Sequence, residues 1–343
     1  MDSPAVRLLA WYASKRRVFS WREDRSPYKV AVSEIMLQQT RISTVIPRYD
    51  AFMKRFPSWQ DLASASPEEV AKLWEGLGYY SRARNLQKAA QIIVHEKEGK
   101  MPQKASEISK LPGFGPYTSA AIASLCFGEK TPSIDGNVLR VCARYQGHSL
   151  SYDDTRLRKE ADLFLRSLME EGDPGLLNEA TMELGETICL PSGMPNCDAC
   201  PFALDCKAHQ EGNETAIPLP KKKAKVQTEK YTVLVFSYQG EIALEKRPDK
   251  GLLSGLYAFP MKEGHLQKEQ LRSALSDFEV VDILPLGESR FHFTHRTWDM
   301  VAYQIQLKKK TDLYRFYSCE EIRNELALPT AHRFAFDSVV RRG

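Results

Sequence analysis

The stretch Leu111–Ser124, LPGFGPYTSAAIAS, decides how the N-terminal part of the chain folds. Gly113, Gly115 and a proline make a tight turn between the end of one helix and the start of a helix of small residues. Glycine lets a backbone approach a ligand closely. The free N–H groups at the start of the second helix suit a phosphate. The pattern predicts a helix–hairpin–helix over about residues 108–128.

Length and composition limit the class of protein. At 343 residues the chain is too long for one ordinary core, which predicts two domains. Its 48 basic and 44 acidic residues give a net charge of +4, which allows a nucleic-acid partner without requiring one. It has no apolar run of membrane-spanning length and no secretory signal pattern at its start. We therefore expect a cytoplasmic protein that does not bind a membrane.

The hydrophobic spacing changes once along the chain. From Ala5 to about His209, apolar residues recur at the three-and-four spacing of helices. The stretch AIPLPKKKAKVQTEK, residues 216–230, is rich in proline and lysine and predicts a linker. This linker is either a solvated tether or a tether that also lies against phosphates.

After the linker, short strands alternate with a helix, and Gln239-Gly240 predicts a hairpin between two of the strands. The sequence thus predicts two domains of different class. They are a mostly α domain over residues 1–215 and a smaller α+β domain over residues 231–343, joined by residues 216–230.

Four of the seven cysteines fall in one short stretch, CLPSGMPNCDACPFALDC. Thiols crowded at the spacing C-x7-C-x2-C-x5-C indicate a shared metal centre. The spacing does not decide between zinc and an iron–sulfur cluster, because both accept four thiolates. The predicted ligands are Cys189, Cys197, Cys200 and Cys206, whereas Cys126, Cys142 and Cys319 are isolated and predict buried hydrophobic positions.

Two carboxylates occupy positions that predict a chemical role. Glu34 lies inside the apolar helix SEIMLQQT, where a carboxylate either faces water or is buried with a raised pKa. Asp135 precedes Gly136 in SIDGNVLRV, and an Asp before a helix is also a common helix cap. A buried acid paired with a second carboxylate suits glycosidic cleavage, because one protonates the leaving group and the other stabilises the cationic sugar.

Five ordered motifs resemble one family: SEIMLQQT, WEGLGYYSRARN, LPGFGPYTSAA, DGNVLRV and the four-cysteine loop. Over residues 5–209 the chain is similar to the MutY family of adenine DNA glycosylases, among the helix–hairpin–helix glycosylases that include endonuclease III. The later stretch EIALEKRPDKGLLSGLYAFP resembles a Nudix-like domain, but the REXXEE helix of a nucleotide hydrolase does not follow it. The resemblance implies a helix–hairpin–helix glycosylase domain with an iron–sulfur loop (residues 189–206), joined to a Nudix-like recognition domain.

The resemblance implies a base-excision mechanism. Glu34 would protonate adenine at N7, and Asp135 would stabilise the cationic sugar or trap it covalently. Asn137 would orient Asp135 or the attacking water, and Tyr117 would complete the hydrogen bonds of the carboxylate. Endonuclease III relatives carry a lysine where this chain has Tyr117, and no lysine occurs from Leu111 to Phe127, which implies base removal without strand cleavage.

The resemblance also assigns contacts with DNA, because a base inside a duplex must be flipped out before it can be cleaved. Arg82 and Arg84 are either solvated charges or phosphate contacts. The other implied contacts are Gly113 and Gly115 with the DNA backbone, Trp21, Arg22 and Glu179 with the flipped adenine, and Gln39 and Tyr79 as wedges beside the opposite base.

The stretch Phe293-Thr294-His295 resembles the Phe-Ser-His loop with which the family reads 8-oxoguanine opposite adenine. Threonine keeps the hydroxyl that can meet the N7–H donor of this lesion. The implied partner is double-stranded DNA that contains adenine mispaired with 8-oxoguanine or guanine. We expect the chain to bind it as a monomer associated with the nucleoid.

The family carries a [4Fe-4S] cluster on the four cysteines. The first gap, LPSGMPN, has seven residues where six are usual, and we expect Gly193 to absorb the extra one. The gap has no Lys or Arg, which implies a weaker DNA contact there. Two alternatives remain: a related glycosylase for another mispair such as thymine opposite guanine, and a non-catalytic iron–sulfur module that binds DNA.

Overall fold

The computed structural model of the chain describes residues 2–221, 226–248 and 250–342. These residues form two compact units. The first unit contains residues 2–63 and 88–221, and the second contains residues 64–87 and the described residues from 226 onward. None of the helices in these ranges is long and apolar enough to cross a membrane.

The N-terminal part is helical, which confirms the prediction from the apolar spacing. Polar side chains cap several helix starts, as Ser26 does for the backbone N–H of Lys29. The helices are α1 (Pro4–Lys15), α2 (Ser20–Glu23), α3 (Pro27–Leu37), α4 (Ile42–Arg55), α5 (Trp59–Ser64), α6 (Pro67–Leu73), α7 (Ser81–Glu96), α8 (Ala105–Ile108), α9 (Pro116–Phe127), α10 (Gly136–Gln146), α11 (Thr155–Met169), α12 (Pro174–Thr187) and α13 (Lys207–Gln210).

The predicted hairpin joins α8 to α9. Gly113 has a φ of 83°, in the left-handed region that favours glycine, and Gly115 caps α9 with an ordinary φ of −71°. Between them, the buried Phe114 anchors the turn in the core. Helix α9 buries a run of small residues and packs against α3 and α12, while α10 packs against α12. This packing brings four distant stretches of the chain to one place.

The second unit contains a seven-stranded mixed sheet. The parallel pair β1–β6 is central, and the predicted turn at Gln239-Gly240 joins β1 to β2, with φ values of 46° and 85°. The strands are β1 (Gln227–Tyr238), β2 (Glu241–Lys246), β3 (Tyr257–Ala258), β4 (Met261–Glu263), β5 (Val280–His292), β6 (Arg296–Leu307) and β7 (Arg315–Ser318), and the helices are α14 (Lys268–Ala274), α15 (Cys319–Asn324) and α16 (Arg333–Val340).

Residues 64–87 belong to the second unit, although the sequence placed them in the helical domain. Arg84 donates from Nη1 to the carbonyl of Ser254 at 2.7 Å and from Nη2 to its hydroxyl at 2.6 Å. Lys72 Nζ donates to the carbonyl of Leu326 at 3.0 Å. The predicted boundary therefore misses one segment, because its partners follow it in sequence by more than 160 residues.

The predicted linker, residues 216–230, contains ordered structure at both ends. Ile217 is buried, and the N–H of Leu219 donates to the carbonyl of Leu150 at 2.9 Å. At the other end, Gln227 already begins β1. The solvated tether is therefore shorter than predicted, and its residues 222–225 lie outside the described part of the chain.

Candidate active site

A cavity of about 470 Å³ opens in the first unit. Its walls include residues of α2, α3, α9 and α12 and the start of α10. The structure brings together six of the side chains predicted for catalysis or base contact, because they line this cavity: Trp21, Arg22, Glu34, Tyr117, Asp135 and Glu179.

Glu34 lies on α3, and its Oε2 atom is buried without a hydrogen-bond partner among the described residues. Burial raises the pKa of Glu34 from 4.5 to about 7. A hydrogen bond with Tyr117 opposes this rise, and the charge of Glu179 adds to it. The carboxyl group therefore keeps its proton to near-neutral pH and has an unpaired oxygen for a ligand.

Tyr117 follows the hairpin, in the first turn of α9. Its hydroxyl hydrogen-bonds with Glu34 and also contacts Sδ of Met182 at 3.1 Å. Burial raises the pKa of Tyr117 well above its usual value, so the phenol stays neutral. Tyr117 thus holds the proposed acid in place through a neutral hydrogen bond.

Asp135 caps α10, which is one of the two roles that the sequence allowed for it, and it also lines the cavity. Its Oδ1 accepts from the N–H of Val138 at 2.8 Å, and its Oδ2 accepts from Nδ2 of Asn137 at 3.1 Å. Burial raises the pKa of Asp135, and the backbone hydrogen bonds of Val138 and Asn137 oppose the rise. The carboxylate is therefore fixed in orientation by two donors.

Asn137 lies behind Asp135 and is itself held by Arg140, a residue that the sequence did not single out. Arg140 Nη2 donates to Oδ1 of Asn137 at 2.8 Å, which turns the Asn137 amide so that its NH₂ group faces Asp135. Gly185 lets α12 approach, because a Cβ atom there would lie 2.6 Å from Cβ of Asn137. The i, i+3 spacing of Asn137 and Arg140 on a helix was the available signal.

Trp21, Arg22 and Glu179 all line the cavity. Trp21 is buried and stacks on Phe19 with ring centroids 4.7 Å apart. Arg22 lies between two carboxylates, with its Nε 3.7 Å from Oε1 of Glu179 and its Nη2 2.9 Å from Oε2 of Glu183. The predicted base contacts are therefore neighbours in space.

The ion-pair cluster around Glu183 was not predicted from the sequence. Arg17 donates from Nε to Oε1 of Glu183 at 2.6 Å and from Nη2 to Oε2 at 2.9 Å. Burial alone would raise the pKa of Glu183, but hydrogen bonds from Arg17 and Arg22 outweigh it and lower the pKa. Glu183 follows Glu179 by four residues on α12, so the shared helix face was a usable signal.

The two predicted wedge residues lie outside the cavity lining. Gln39 is exposed just after α3 and has a φ of 55°. Tyr79 belongs to the second unit, where it is half exposed and has a φ of 44°. Arg82 is buried, which contradicts the prediction of a solvated charge, and its guanidinium lies 5.6 Å from the Tyr79 ring centroid.

Phe293, Thr294 and His295 form the turn between β5 and β6. Phe293 packs edge-on against Trp298 with centroids 4.8 Å apart, whereas Thr294 and His295 are exposed. The hydroxyls of Thr294 and Tyr79 hydrogen-bond. The loop predicted to read 8-oxoguanine therefore contacts Tyr79, one of the two predicted wedge residues, within the second unit.

The four clustered cysteines line one small cavity in the first unit. Burial raises the pKa of Cys197 to about 11 and that of Cys200 to about 12. Arg144 Nη1 contacts Sγ of Cys189 at 3.3 Å and supplies a positive charge there. Gly193 has a φ of 75°, as expected for the residue that accommodates the longer first gap. Cys197 and Cys200 would therefore remain protonated without a metal to stabilise their thiolates.

The spacing of the sulfurs fits a cluster better than a single ion. Among the described residues, only Cys197, His209 and Glu214 place three possible metal-ligand atoms within 4.8 Å of one another. No three cysteine sulfurs in this part of the chain are therefore that close. One tetrahedral zinc with bonds of about 2.3 Å would hold its sulfurs about 4 Å apart. A four-iron cluster binds each thiolate to a different iron and accepts wider spacing. His209 Nδ1 lies 2.7 Å from Glu214 Oε1, so these two groups already hydrogen-bond with each other.

Two family models match the chain. The model of the HhH-GPD superfamily base excision DNA repair protein matches residues 32–165, and the model of the NUDIX domain matches residues 231–338. Together they confirm a helix–hairpin–helix glycosylase fold joined to a Nudix-like domain.

Curated adenine DNA glycosylases are similar over most of the chain. The protein of Mus musculus is 35% identical over 88% of this chain and 70% of its own length. That of Homo sapiens is 34% identical over 89% of this chain and 67% of its own length. That of Buchnera aphidicola subsp. Schizaphis graminum is 36% identical over 74% of this chain and 73% of its own length.

Two solved structures resemble the helical part. A thermostable thymine-DNA glycosylase has a TM-score of 0.54 and 30% identity, covering 60% of this chain and 95% of that chain. A non-covalent endonuclease III–DNA complex has a TM-score of 0.50 and 22% identity, covering 62% of this chain and 99% of that chain. The second likeness shows the fold alone.

Proposed function

We propose, because the chain belongs to the adenine DNA glycosylase family, that it removes adenine from double-stranded DNA by hydrolysing the N-glycosidic bond. One observation carries this proposal. Glu34, a carboxyl group with an unpaired buried oxygen, shares a cavity with the oriented carboxylate of Asp135. Such a pair supplies an acid for the leaving base and a negative charge for the sugar.

Glu34 acts as the general acid. A pKa of about 7 lets it hold a proton at near-neutral pH and give it up readily when adenine leaves. Protonation at N7 makes the purine a better leaving group, because the ring then departs neutral. Tyr117 keeps the acid in place during the transfer.

Asp135 stabilises the positive charge that develops on the sugar. Its two hydrogen-bond donors, the N–H of Val138 and Nδ2 of Asn137, fix its orientation before the reaction. A water molecule, held near Asp135 and Asn137, then adds to the sugar carbon and loses one proton to the solvent, which completes the hydrolysis.

The reaction ends at an abasic site. A lysine in the cavity could form an imine with the opened sugar and so cleave the strand. None of the residues that line the described cavity is a lysine, and Tyr117 carries no amine. The product strand therefore stays intact until another agent cleaves it.

The substrate is adenine opposite 8-oxoguanine, and the second unit reads this lesion. Thr294 is exposed at a hairpin turn and shares a hydrogen bond with Tyr79. Its hydroxyl oxygen can accept from the N7–H of 8-oxoguanine, a donor that guanine lacks. The wedge and the reader would then act on the same base, in a complex of one chain with one duplex.

A [4Fe-4S] cluster held by Cys189, Cys197, Cys200 and Cys206 fits the thiol spacing described above. The cluster would cross-link the loop between α12 and α13 and supply the positive iron charges that keep four thiolates together. It has no part in the glycosidic step.

The test uses duplexes that contain adenine opposite 8-oxoguanine and thymine opposite guanine. We expect release of adenine alone, with strand breaks that form only after alkali. Release of thymine alone would favour the function named for the thymine-DNA glycosylase neighbour. Strand breaks without alkali would contradict hydrolysis without lyase activity, and full adenine release by Glu34→Gln would contradict the acid.

A further inference from the structure

The carboxylate of Glu179 is held by two residues to which the motifs gave no role. Its Oε2 accepts from Nη2 of Arg25 at 2.6 Å and from the hydroxyl of Tyr12 at 3.1 Å. Tyr12 is only 2% exposed, on the inner face of α1. Arg25 lies between α2 and α3 and itself lines the cavity. Both donors therefore hold the same oxygen from positions far away in sequence.

The other oxygen of Glu179 is left for a ligand. Oε1 is 3.7 Å from Nε of Arg22, beyond hydrogen-bond distance. The hydrogen bonds of Arg22 go instead to Glu183 at 2.9 Å and to the carbonyl of Arg17 at 3.0 Å. Within the described part of the chain, Glu179 thus offers the cavity one acceptor oxygen in a fixed direction.

We propose that Tyr12 and Arg25 are positioning residues that orient Glu179 so that its free oxygen selects a purine with a 6-amino group over a purine with a 6-oxo group. This inference rests on the proposed function. An amino group donates to a carboxylate oxygen, whereas an oxo group faces it with a second acceptor and is repelled. The discrimination depends on direction, because a carboxylate that rotates freely can turn away from the oxo group.

The geometry also explains why two donors hold one oxygen. A single donor leaves a carboxylate free to rotate about its last bond, and two donors from different elements restrict that rotation. The two arginines near Glu179 place positive charge beside its carboxylate, and Tyr12 adds direction without charge.

The experiment compares single-turnover release of adenine and of hypoxanthine, each opposite 8-oxoguanine, by the full chain. The ratio of the two rates cancels the effect of general damage to the fold. We expect Tyr12→Phe and Arg25→Gln each to lower the adenine preference roughly tenfold or more, the loss of one hydrogen bond to a charged group. Arg25→Lys should restore part of the preference, because it keeps a charged donor.

A double-mutant cycle tests whether both residues act through Glu179. In a Glu179→Gln background, adding Tyr12→Phe should change the ratio by less than about twofold, because the group that it orients is already altered. Tyr28→Phe is the matched control for loss of a buried hydroxyl, since Tyr28 donates to the carbonyl of Phe56 at 2.6 Å and does not line the cavity.

Equal loss of both rates with an unchanged ratio would overturn the inference and leave Tyr12 and Arg25 as structural residues. Additive effects in the Glu179→Gln background would overturn it too. If the unaltered chain released neither base, the proposed function itself would fail. Arg25 is partly exposed, so its substitution keeps the test usable if Tyr12→Phe does not fold.

Discussion

The side-chain hydroxyls of Tyr79 and Thr294 hydrogen-bond across 215 residues of sequence. Both residues belong to the second unit. Arg82 holds the backbone just before Tyr79 in place, because its Nη2 donates to the carbonyls of Leu77 at 2.8 Å and Gly78 at 3.2 Å. The turn between β5 and β6 fixes the Thr294 side. Tyr79, a predicted wedge residue, thus belongs to the same unit as Thr294 in the loop predicted to read the lesion.

We expect Tyr79→Phe to weaken the preference for 8-oxoguanine over guanine roughly fivefold, because Thr294 loses the partner that orients its hydroxyl. The phenyl ring still stacks, so binding to undamaged duplex should change little. The measurement is the ratio of dissociation constants for two duplexes that carry a non-cleavable adenine analogue opposite each base.

Tyr231→Phe is the matched control, because the Tyr231 hydroxyl donates to Oε2 of Glu229 at 3.1 Å within the same unit. Thr294→Ser should keep the preference and Thr294→Ala should lose it. An unchanged ratio in both Tyr79→Phe and Thr294→Ala would remove the pair from lesion reading.

The rate of base release should fall as pH rises above about 7, because Glu34 must carry a proton to act as an acid. Above that pKa the protonated fraction, and hence the single-turnover rate, drops about tenfold for each pH unit. The measurement is the single-turnover rate across neutral and alkaline pH. A rate that stays constant well above neutral pH would contradict the assignment of Glu34.

Glu34 should also make the protein less stable at alkaline pH. Its pKa rises from 4.5 to about 7 on folding, so the folded chain binds more protons between these values and loses stability as pH rises through them. Glu34→Gln should therefore raise the free energy of unfolding by about 3 kcal/mol at alkaline pH and have little effect below about pH 4.5. Urea denaturation at both pH values measures this, with Glu170→Gln as the exposed control. An equal effect at both pH values would show that packing, not charge, is responsible.

Local chemistry explains which parts were predictable. The hairpin at Leu111–Ser124 follows from glycine and proline within one short stretch. The turn at Gln239-Gly240 likewise follows from the residues within it. The partners of Glu179 were not predictable, because Tyr12 and Arg25 precede it by 167 and 154 residues and only tertiary packing brings them together.

Burial was the second quantity that the sequence could not supply. Arg82 follows a Tyr-Tyr-Ser stretch and looks like a surface charge, yet it is 8% exposed and desolvation lowers its pKa to about 10. Sequence spacing placed Glu34 inside an apolar helix but could not show which of its oxygens lacks a partner. Such facts depend on which elements pack together.

Gly185→Ala should reduce base release at least tenfold, because the new Cβ atom would lie 2.6 Å from Cβ of Asn137 and push its amide away from Asp135. Gly136→Ala is the matched control, since a Cβ atom there meets nothing within 4 Å and the φ of Gly136 is ordinary. The measurement is the single-turnover rate of both variants after thermal unfolding has shown that they are folded. Equal activity of the two variants would contradict the positioning role of Asn137.

Purified protein should contain roughly four iron and four sulfide ions per chain if the cysteines hold a [4Fe-4S] cluster. Cys200→Ser should lose both and become sensitive to proteolysis between α12 and α13, because the loop then lacks its cross-link. Cys126→Ser is the control, since Cys126 lies on α9 away from the other cysteines and should keep the iron. One zinc ion per chain, or full iron content in Cys200→Ser, would contradict the cluster. Proteolysis of iron-depleted unaltered protein should match that of Cys200→Ser, because both lose the same bonds between the loop and the metal.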